Sequence, residues 1–277
     1  MINNKILALK YRPQEFKDLI GQEVIAQTIT NAIKLKKTPN AYLLNGIRGV
    51  GKTTTARLIA KSLNCQKNID PKIDCSTVNF CSTCQEIANS NHIDVLEMDA
   101  ASKTGIDDVR ELIENSKYSP TSASFKIFII DEVHMLSKQA FNGLLKTLEE
   151  PPERLKFILA TTEVRKIPVT ILSRCQRFDL KRVDLEKLFS HLKNISVKEK
   201  GKISDDAIKL IARASEGSVR DGISLLDRAL IFQTINENTE VQDTDVRNML
   251  GLADRSKLIS LFKEILSGNE KNSLTQL

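Results

Sequence analysis

An α/β domain built on a parallel sheet, followed by a smaller helical part, is the fold class this sequence predicts. Three observations predict it. Short apolar runs alternate with amphipathic helical patterns through the first two-thirds of the chain. A glycine-rich loop of defined spacing joins the first of those runs to the helix after it. Strand signals stop near Lys181, and only helical patterns follow.

The elements follow in order. Residues 41–44 (Ala-Tyr-Leu-Leu) are a continuous apolar run and read as a buried strand. Residues 52–63 then carry a helical pattern. Residues 93–98 alternate and predict a weaker strand, and 107–114 a helix. Residues 126–130 predict a strand, 137–149 a helix stopped by Pro151 and Pro152, and 156–160 the last strand of the sheet. Beyond Lys181, residues 184–197 place Leu185, Leu188, Phe189 and Leu192 at helical spacing. Ser204 and Ser218 are candidate N-caps, each followed by apolar residues at helical intervals. Residues 235–244 are polar and read as a linker. Residues 245–266 start a last helical region, with Leu258, Leu261, Phe262 and Ile265 on one side.

Composition narrows the classes. The 277 residues are 41% hydrophobic and 27% charged, enough for a core without staples. A formal charge of +6 permits nucleic-acid contact without requiring it. No run of 18 apolar residues is present, so no membrane partner is expected. The N-terminal stretch is too short and polar for a signal peptide. A cytoplasmic protein is the expectation, and in that setting closely spaced cysteines point to metal before disulfides.

The chemistry begins at Gly46-Ile47-Arg48-Gly49-Val50-Gly51-Lys52-Thr53, which fits G-x-x-x-x-G-K-[ST] at every defined position. Glycines let the backbone turn its N–H groups onto phosphate oxygens, and the helix start adds partial positive charge. Lys52 is expected on the β and γ phosphates of ATP, and Thr53 on Mg²⁺. Residues 126–130 lead into Asp131-Glu132-Val133-His134. A carboxylate at the carboxyl end of a buried strand reaches the phosphate site in such folds. Asp131 is expected to hold Mg²⁺ through water, and Glu132 to polarise the attacking water. Cys65, Cys75, Cys81 and Cys84 can form a Cys₄ zinc site, with Cys81-Ser82-Thr83-Cys84 the chelating pair. All four positions would be filled by protein, which makes such a site structural.

With Ser173-Arg174-Cys175, these motifs resemble AAA+ ATPases of the clamp-loader clade, and within it the bacterial DNA polymerase III gamma/tau subunits. The likeness is also carried by Tyr11-Arg12-Pro13 with Gly21-Gln22, by Thr54 after the glycine loop, by 144–152, by Leu159-Ala160-Thr161-Thr162 and by Gly217-Ser218-Val219-Arg220-Asp221. It runs from Leu9 to about Leu252. The resemblance implies an adenine pocket lined by Tyr11 and Arg12. It implies that Thr162 is sensor 1 and that Arg220 is sensor 2, feeling the γ-phosphate. Arg174 would be an arginine finger donated to a neighbouring subunit's ATP. It also implies a zinc module at about 65–84, although Cys75 departs from the family spacing. The domains expected are an ATPase domain over 1–181, a helical lid over 182–243 and the start of a helical collar over 244–277, cut short. The partners implied are delta-type and delta-prime-type subunits, further gamma/tau copies, a sliding clamp and primed DNA.

Three other readings compete. A different AAA+ machine, such as a branch-migration helicase, lacks a reason for the cysteine insertion. A non-hydrolysing subunit of the same assembly has no need for Lys52, Asp131 and Glu132 together. A small-molecule P-loop kinase leaves the helical part, Arg174 and Arg220 without a purpose. Nothing in the sequence supports nucleotide addition by this chain. Ser102-Lys103-Thr104-Gly105 with Arg110 is a candidate DNA-phosphate contact.

Overall fold

A computed structural model describes residues 6–68, 75, 79–102, 105–235, 240–251 and 255–270. Lys103 and Thr104 of the candidate DNA loop lie outside the described residues. The chain runs α1 (Leu7–Lys10), α2 (Glu23–Lys34), β1 (Ala41–Asn45), α3 (Lys52–Asn64), α4 (Ser82–Ala88), β2 (Val95–Asp99), α5 (Ile106–Ser116) and β3 (Lys126–Asp131). It continues through α6 (Lys138–Glu149), β4 (Leu155–Thr161), α7 (Val169–Leu172), β5 (Gln176–Asp179), α8 (Leu185–Lys198), α9 (Asp205–Ala214), α10 (Val219–Ile235), α11 (Asp243–Leu250) and α12 (Arg255–Leu266).

The five strands form one parallel sheet in the order β2-β3-β4-β1-β5. A parallel sheet is covered on both faces, which is why its central strands read as unbroken apolar runs. β4 is buried at every position. Alternate residues feed two cores. Leu43, Phe128, Ile130, Phe157 and Leu159 pack on one face with Val109, Leu112, Phe141 and Leu144 of α5 and α6. Tyr42, Leu44, Ile127, Ile129 and Ile158 pack on the other with Ile29 of α2 and with Ala56, Ile59 and Ala60 of α3. Each large buried aliphatic contributes roughly 1.5–3 kcal/mol of burial.

All four strands expected from the sequence are present, each within one or two residues of its expected ends. The fifth corrects the expectation that 156–160 is the last. β5 is four residues long, pairs only with β1 at the sheet edge, and buries only Phe178 among its four residues. An edge strand with one inward residue carries no apolar run to read. Helices α2 and α4 were also unread. α2 carries Ile25, Ile29 and Ile33 at helical spacing toward the sheet, a signal that was available. α4 is seven residues long and is preceded by its N-cap, Cys81.

By contacts the chain divides into a unit of Leu9–Asp184 with Ser218–Arg220, and a unit of Met1–Ala8, Leu185–Gly217 and Asp221–Leu277. The second unit is helical. Leu188, Leu192, Ile195, Ile208, Ile211, Ile223 and Leu226 are buried in it. Ser204 caps α9 by accepting the Ala207 N–H, as Ser137 caps α6 by accepting that of Ala140. The end of the expected linker is packed: Val241 is buried and bridges to Ile203, and Gln242 caps α11. On α12, Phe262 and Ile265 are more than half exposed. No helix among the described residues is long and apolar enough to cross a membrane.

Candidate functional site

The glycine loop leaves the carboxyl end of β1 and enters α3. The Gly46 N–H donates to Thr161 O at 3.2 Å, tying the loop to the end of β4. A side chain at Gly46 would meet Leu180 O at 2.8 Å. Gly49 and Gly51 have φ of +78° and +103°, which favour glycine. A Cβ at Gly49 would also strike the Ser218 hydroxyl and lie 3.2 Å from Arg220 Cβ. The Arg220 N–H donates to Gly49 O at 3.2 Å, so Arg220 stands against the loop at its backbone.

Lys52, at the start of α3, is 6% exposed. Its ammonium donates to Gly46 O at 3.0 Å and Ile47 O at 3.2 Å, and lies 3.9 Å from Glu132 Oε1. Burial lowers its pKa, with Glu132 and Asp131 opposing. The Thr53 hydroxyl donates to Asp131 Oδ2 in a short hydrogen bond. Hydroxyl and carboxylate therefore stand together as a hard-oxygen pair, the donor chemistry Mg²⁺ takes.

Asp131 ends β3 and Glu132 turns sharply after it. Glu132 has φ +46°, a strained value for a residue with a side chain. Its N–H donates to Asp131 Oδ1 at 2.9 Å. Its carboxylate Oε2 accepts from the Thr162 N–H at 3.2 Å and hydroxyl at 3.0 Å. The carboxyl ends of β1, β3 and β4 thus bring Lys52, Thr53, Asp131, Glu132 and Thr162 together. One residue here had no role in the sequence reading. His134, 6% exposed in its side chain, lies 3.1 Å from Thr161 Oγ1 and 3.5 Å from Glu132 Oε2.

Arg12 lies over α3, with Tyr11 beside it in the chain. Arg12 Nε donates to Thr54 Oγ1 at 3.1 Å. Burial lowers the Arg12 pKa, with Arg57 adding to the effect and Glu97 opposing it. The Lys10 ammonium sits 5.6 Å from the Tyr11 ring centroid. Gly21-Gln22 holds the same segment to the sheet end: the Gln22 amide donates to Lys181 O at 2.7 Å and accepts from Lys181 N–H at 3.1 Å.

Arg174 is not part of this group. It lies between α7 and β5, on the amino side of the edge strand, whereas the glycine loop leaves the carboxyl side of β1. The four residues of β5 separate the two by roughly 13 Å along the strands. Its guanidinium donates to Thr170 O at 2.6 Å and pairs with the Glu149 carboxylate. Cys175 packs against the core, and burial raises its pKa to about 11.

The four predicted cysteines do converge. Cys65 caps the carboxyl end of α3, Cys81 caps α4 and Cys84 lies in the first turn of α4. Their sulfurs and that of Cys75 lie within 4.8 Å of one another. Tetrahedral zinc with thiolates sets sulfurs about 3.8 Å apart, so the cluster fits that ion with small closure. Cys75, the member with departing spacing, also accepts the Cys81 N–H at 3.4 Å.

Three family models match successive parts of the chain. One described as DNA polymerase III, delta subunit, covers residues 21–184. One described as DNA polymerase III clamp loader subunit, ATPase lid domain, covers 187–234. One described as DNA polymerase III subunits gamma and tau domain III covers 241–277. The chain is 44% identical over 265 residues to DNA polymerase III subunit tau of Escherichia coli K12, across 96% of this chain and 40% of the relative. It is 45% identical over 276 residues to DNA polymerase III subunit gamma of Buchnera aphidicola subsp. Schizaphis graminum, across 100% of this chain and 74% of the relative. It therefore spans less than half of the longer tau relative. Among solved structures it resembles a Thermotoga maritima RuvB described as a Holliday junction branch migration motor. The TM-score is 0.64 at 20% identity, over 92% of this chain and 79% of that one. That likeness speaks to the AAA+ fold alone.

Proposed function

The chain belongs to the DNA polymerase III gamma/tau family of clamp-loader subunits, and from that premise we propose that it hydrolyses ATP to load a sliding clamp onto primed DNA. The observation that carries this reading is the meeting of Lys52, Thr53, Asp131, Glu132 and Thr162 at the carboxyl ends of three adjacent strands.

Each residue has a task in that reading. The backbone from Gly46 to Gly51 cradles phosphates, and Lys52 moves from the Gly46 and Ile47 carbonyls onto the β and γ oxygens. Thr53 and Asp131 hold Mg²⁺, which when bound neutralises charge on the phosphates. Glu132 accepts a proton from the attacking water, and Thr162 fixes the carboxylate in place. Arg220 senses the γ-phosphate from beside Gly49, and Tyr11 and Arg12 line the adenine pocket with Thr54 beneath. Arg174 serves the site of a neighbouring subunit. The four cysteines hold a structural zinc, which contributes folding free energy locally.

The lid and domain III matches support a division at about 182 and 244. The working partners in this reading are delta-type and delta-prime-type subunits, further gamma/tau copies, the clamp and primed DNA, in the cytoplasm. The branch-migration alternative shares the fold, but the relatives at 44–45% identity support clamp loading. The test compares wild type with Glu132→Gln in ATP binding and phosphate release. Retained binding with turnover lowered about 100-fold or more supports the reading. Unchanged turnover removes Glu132 from it.

A further inference from the structure

The helix that begins at the glycine loop ends at the cysteine cluster. α3 carries Lys52 and Thr53 at its first turn and Cys65 at its carboxyl cap, so its 13 residues place the two sites about 20 Å apart. On the same helix, Lys61 is 6% exposed and occupies a point between the cluster and the N-terminal segment. Its ammonium lies 3.9 Å from the ring centroid of Phe80, the residue before Cys81. It donates to the backbone carbonyl of Gln14 at 3.0 Å and to the Gln14 side-chain oxygen at 3.4 Å. Gln14 in turn donates its amide to Arg12 O at 3.3 Å, and Arg12 donates to Thr54. Thr54 and Lys61 are seven residues apart, two turns, and so lie on one face of α3. That face holds the segment from Arg12 to Gln14 at two points, and the second is the lysine seated on the cysteine loop. A buried ammonium needs such partners, and Phe80 and Gln14 supply them.

We propose that Lys61 is a positioning residue through which the four-cysteine module sets the nucleotide-base side of the ATP site, by holding the segment that carries Tyr11 and Arg12. The proposal rests on the reading of Tyr11 and Arg12 as adenine contacts. The module then does more than stabilise its own loop. With metal bound to the four cysteines, the Phe80–Cys84 turn would be held in place, and Lys61 would keep its seat on Phe80 and its bonds to Gln14. When the metal is stripped, Lys61 loses its seat and the base pocket loosens, while the phosphate loop at the other end of α3 stays formed.

The experiment measures equilibrium binding of a fluorescent ATP analogue and, by competition, of inorganic triphosphate, which engages only the phosphate loop. Wild type, zinc-stripped wild type, Lys61→Met, Lys61→Arg and Tyr11→Ala are compared, with zinc content determined for each. Lys61→Met is expected to keep its zinc, to bind the analogue about tenfold more weakly and to bind triphosphate within about twofold of wild type, the size of one lost charge-assisted hydrogen bond. Lys61→Arg is expected to recover part of the loss, and stripping zinc to reproduce it. If Lys61→Met does not fold, Gln14→Ala, which removes one of the two acceptors, is expected to lose about twofold to threefold for the analogue alone. Wild-type analogue affinity in Lys61→Met, or equal losses for analogue and triphosphate, overturns the proposal. If Tyr11→Ala leaves analogue binding intact, the adenine reading itself fails. If Tyr11→Ala weakens binding and Lys61→Met does not, only the role of Lys61 fails.

Discussion

Glu132 shows how much a single position can ask of its neighbours. Its backbone sits at φ +46°, which costs of order 1–3 kcal/mol for a residue with a side chain. Hydrogen bonds to Asp131 and Thr162 hold it there. Thr162→Val removes the hydroxyl bond and leaves the backbone one. We expect kcat for ATP hydrolysis to fall about tenfold with KM near wild type, because the carboxylate is misplaced only at the chemical step. A KM rise with unchanged kcat would assign Thr162 to binding instead. Lys52, Thr53, Asp131 and Glu132 were legible in the sequence because phosphate and metal chemistry dictates their types and spacing, whereas Thr162 was reached only through the family resemblance. Lys61 was not legible. Its partners, Gln14 and Phe80, lie 47 and 19 positions away, and nothing local distinguishes a lysine that will be buried from one on a solvated helix face.

At the scale of elements, two devices fix the amino end of the sheet and the carboxyl end of α3. Asp94 is 1% exposed and immediately precedes β2. Its carboxylate accepts from the N–H groups of Thr121, Ser122 and Ala123 and from the Ser122 hydroxyl, which holds the turn leading into β3. Burial alone would raise its pKa. The donors outweigh that and lower it below the ordinary 3.8. Because the folded value is depressed, the stabilisation is complete above the unfolded pKa and is lost as pH falls through about 4 and below. Asp94→Asn should lower stability by about 2 kcal/mol at neutral pH. Its unfolding midpoint should then vary less with pH than that of wild type between pH 5 and 3. Parallel pH profiles would contradict this. At the other device, Cys84→Ser should release zinc and lower the melting temperature, since the metal's binding energy is folding energy. Elemental analysis and a thermal scan check both, and a variant that keeps one zinc per chain would remove Cys84 from the ligand set. Element legibility followed burial. β3 and β4, inside the sheet, announce themselves as apolar runs, whereas β5 at the edge buries Phe178 alone and reads as loop.

Across the whole molecule, the placement of Arg174 at the opposite end of the sheet from the glycine loop favours action on a neighbour's ATP. An arginine in that role typically contributes ~10³–10⁵ in rate. Arg174→Ala chains should bind ATP and hydrolyse it poorly, and Lys52→Ala chains should hydrolyse none. Assembled together, intact fingers of the second face intact sites of the first, and phosphate release should partly return. Confirmed mixed assemblies that stay inactive would make Arg174 a structural residue paired with Glu149. The central claim, clamp loading driven by this ATP site, is tested most directly on primed circular DNA. The chain is assembled with delta-type and delta-prime-type subunits as the only gamma/tau-type component, and retention of a labelled sliding clamp on the circle is measured. The account predicts loading that requires ATP and is lost with Lys52→Ala. Loading that proceeds equally with Lys52→Ala, or a correctly formed assembly that never loads the clamp with ATP, would contradict it.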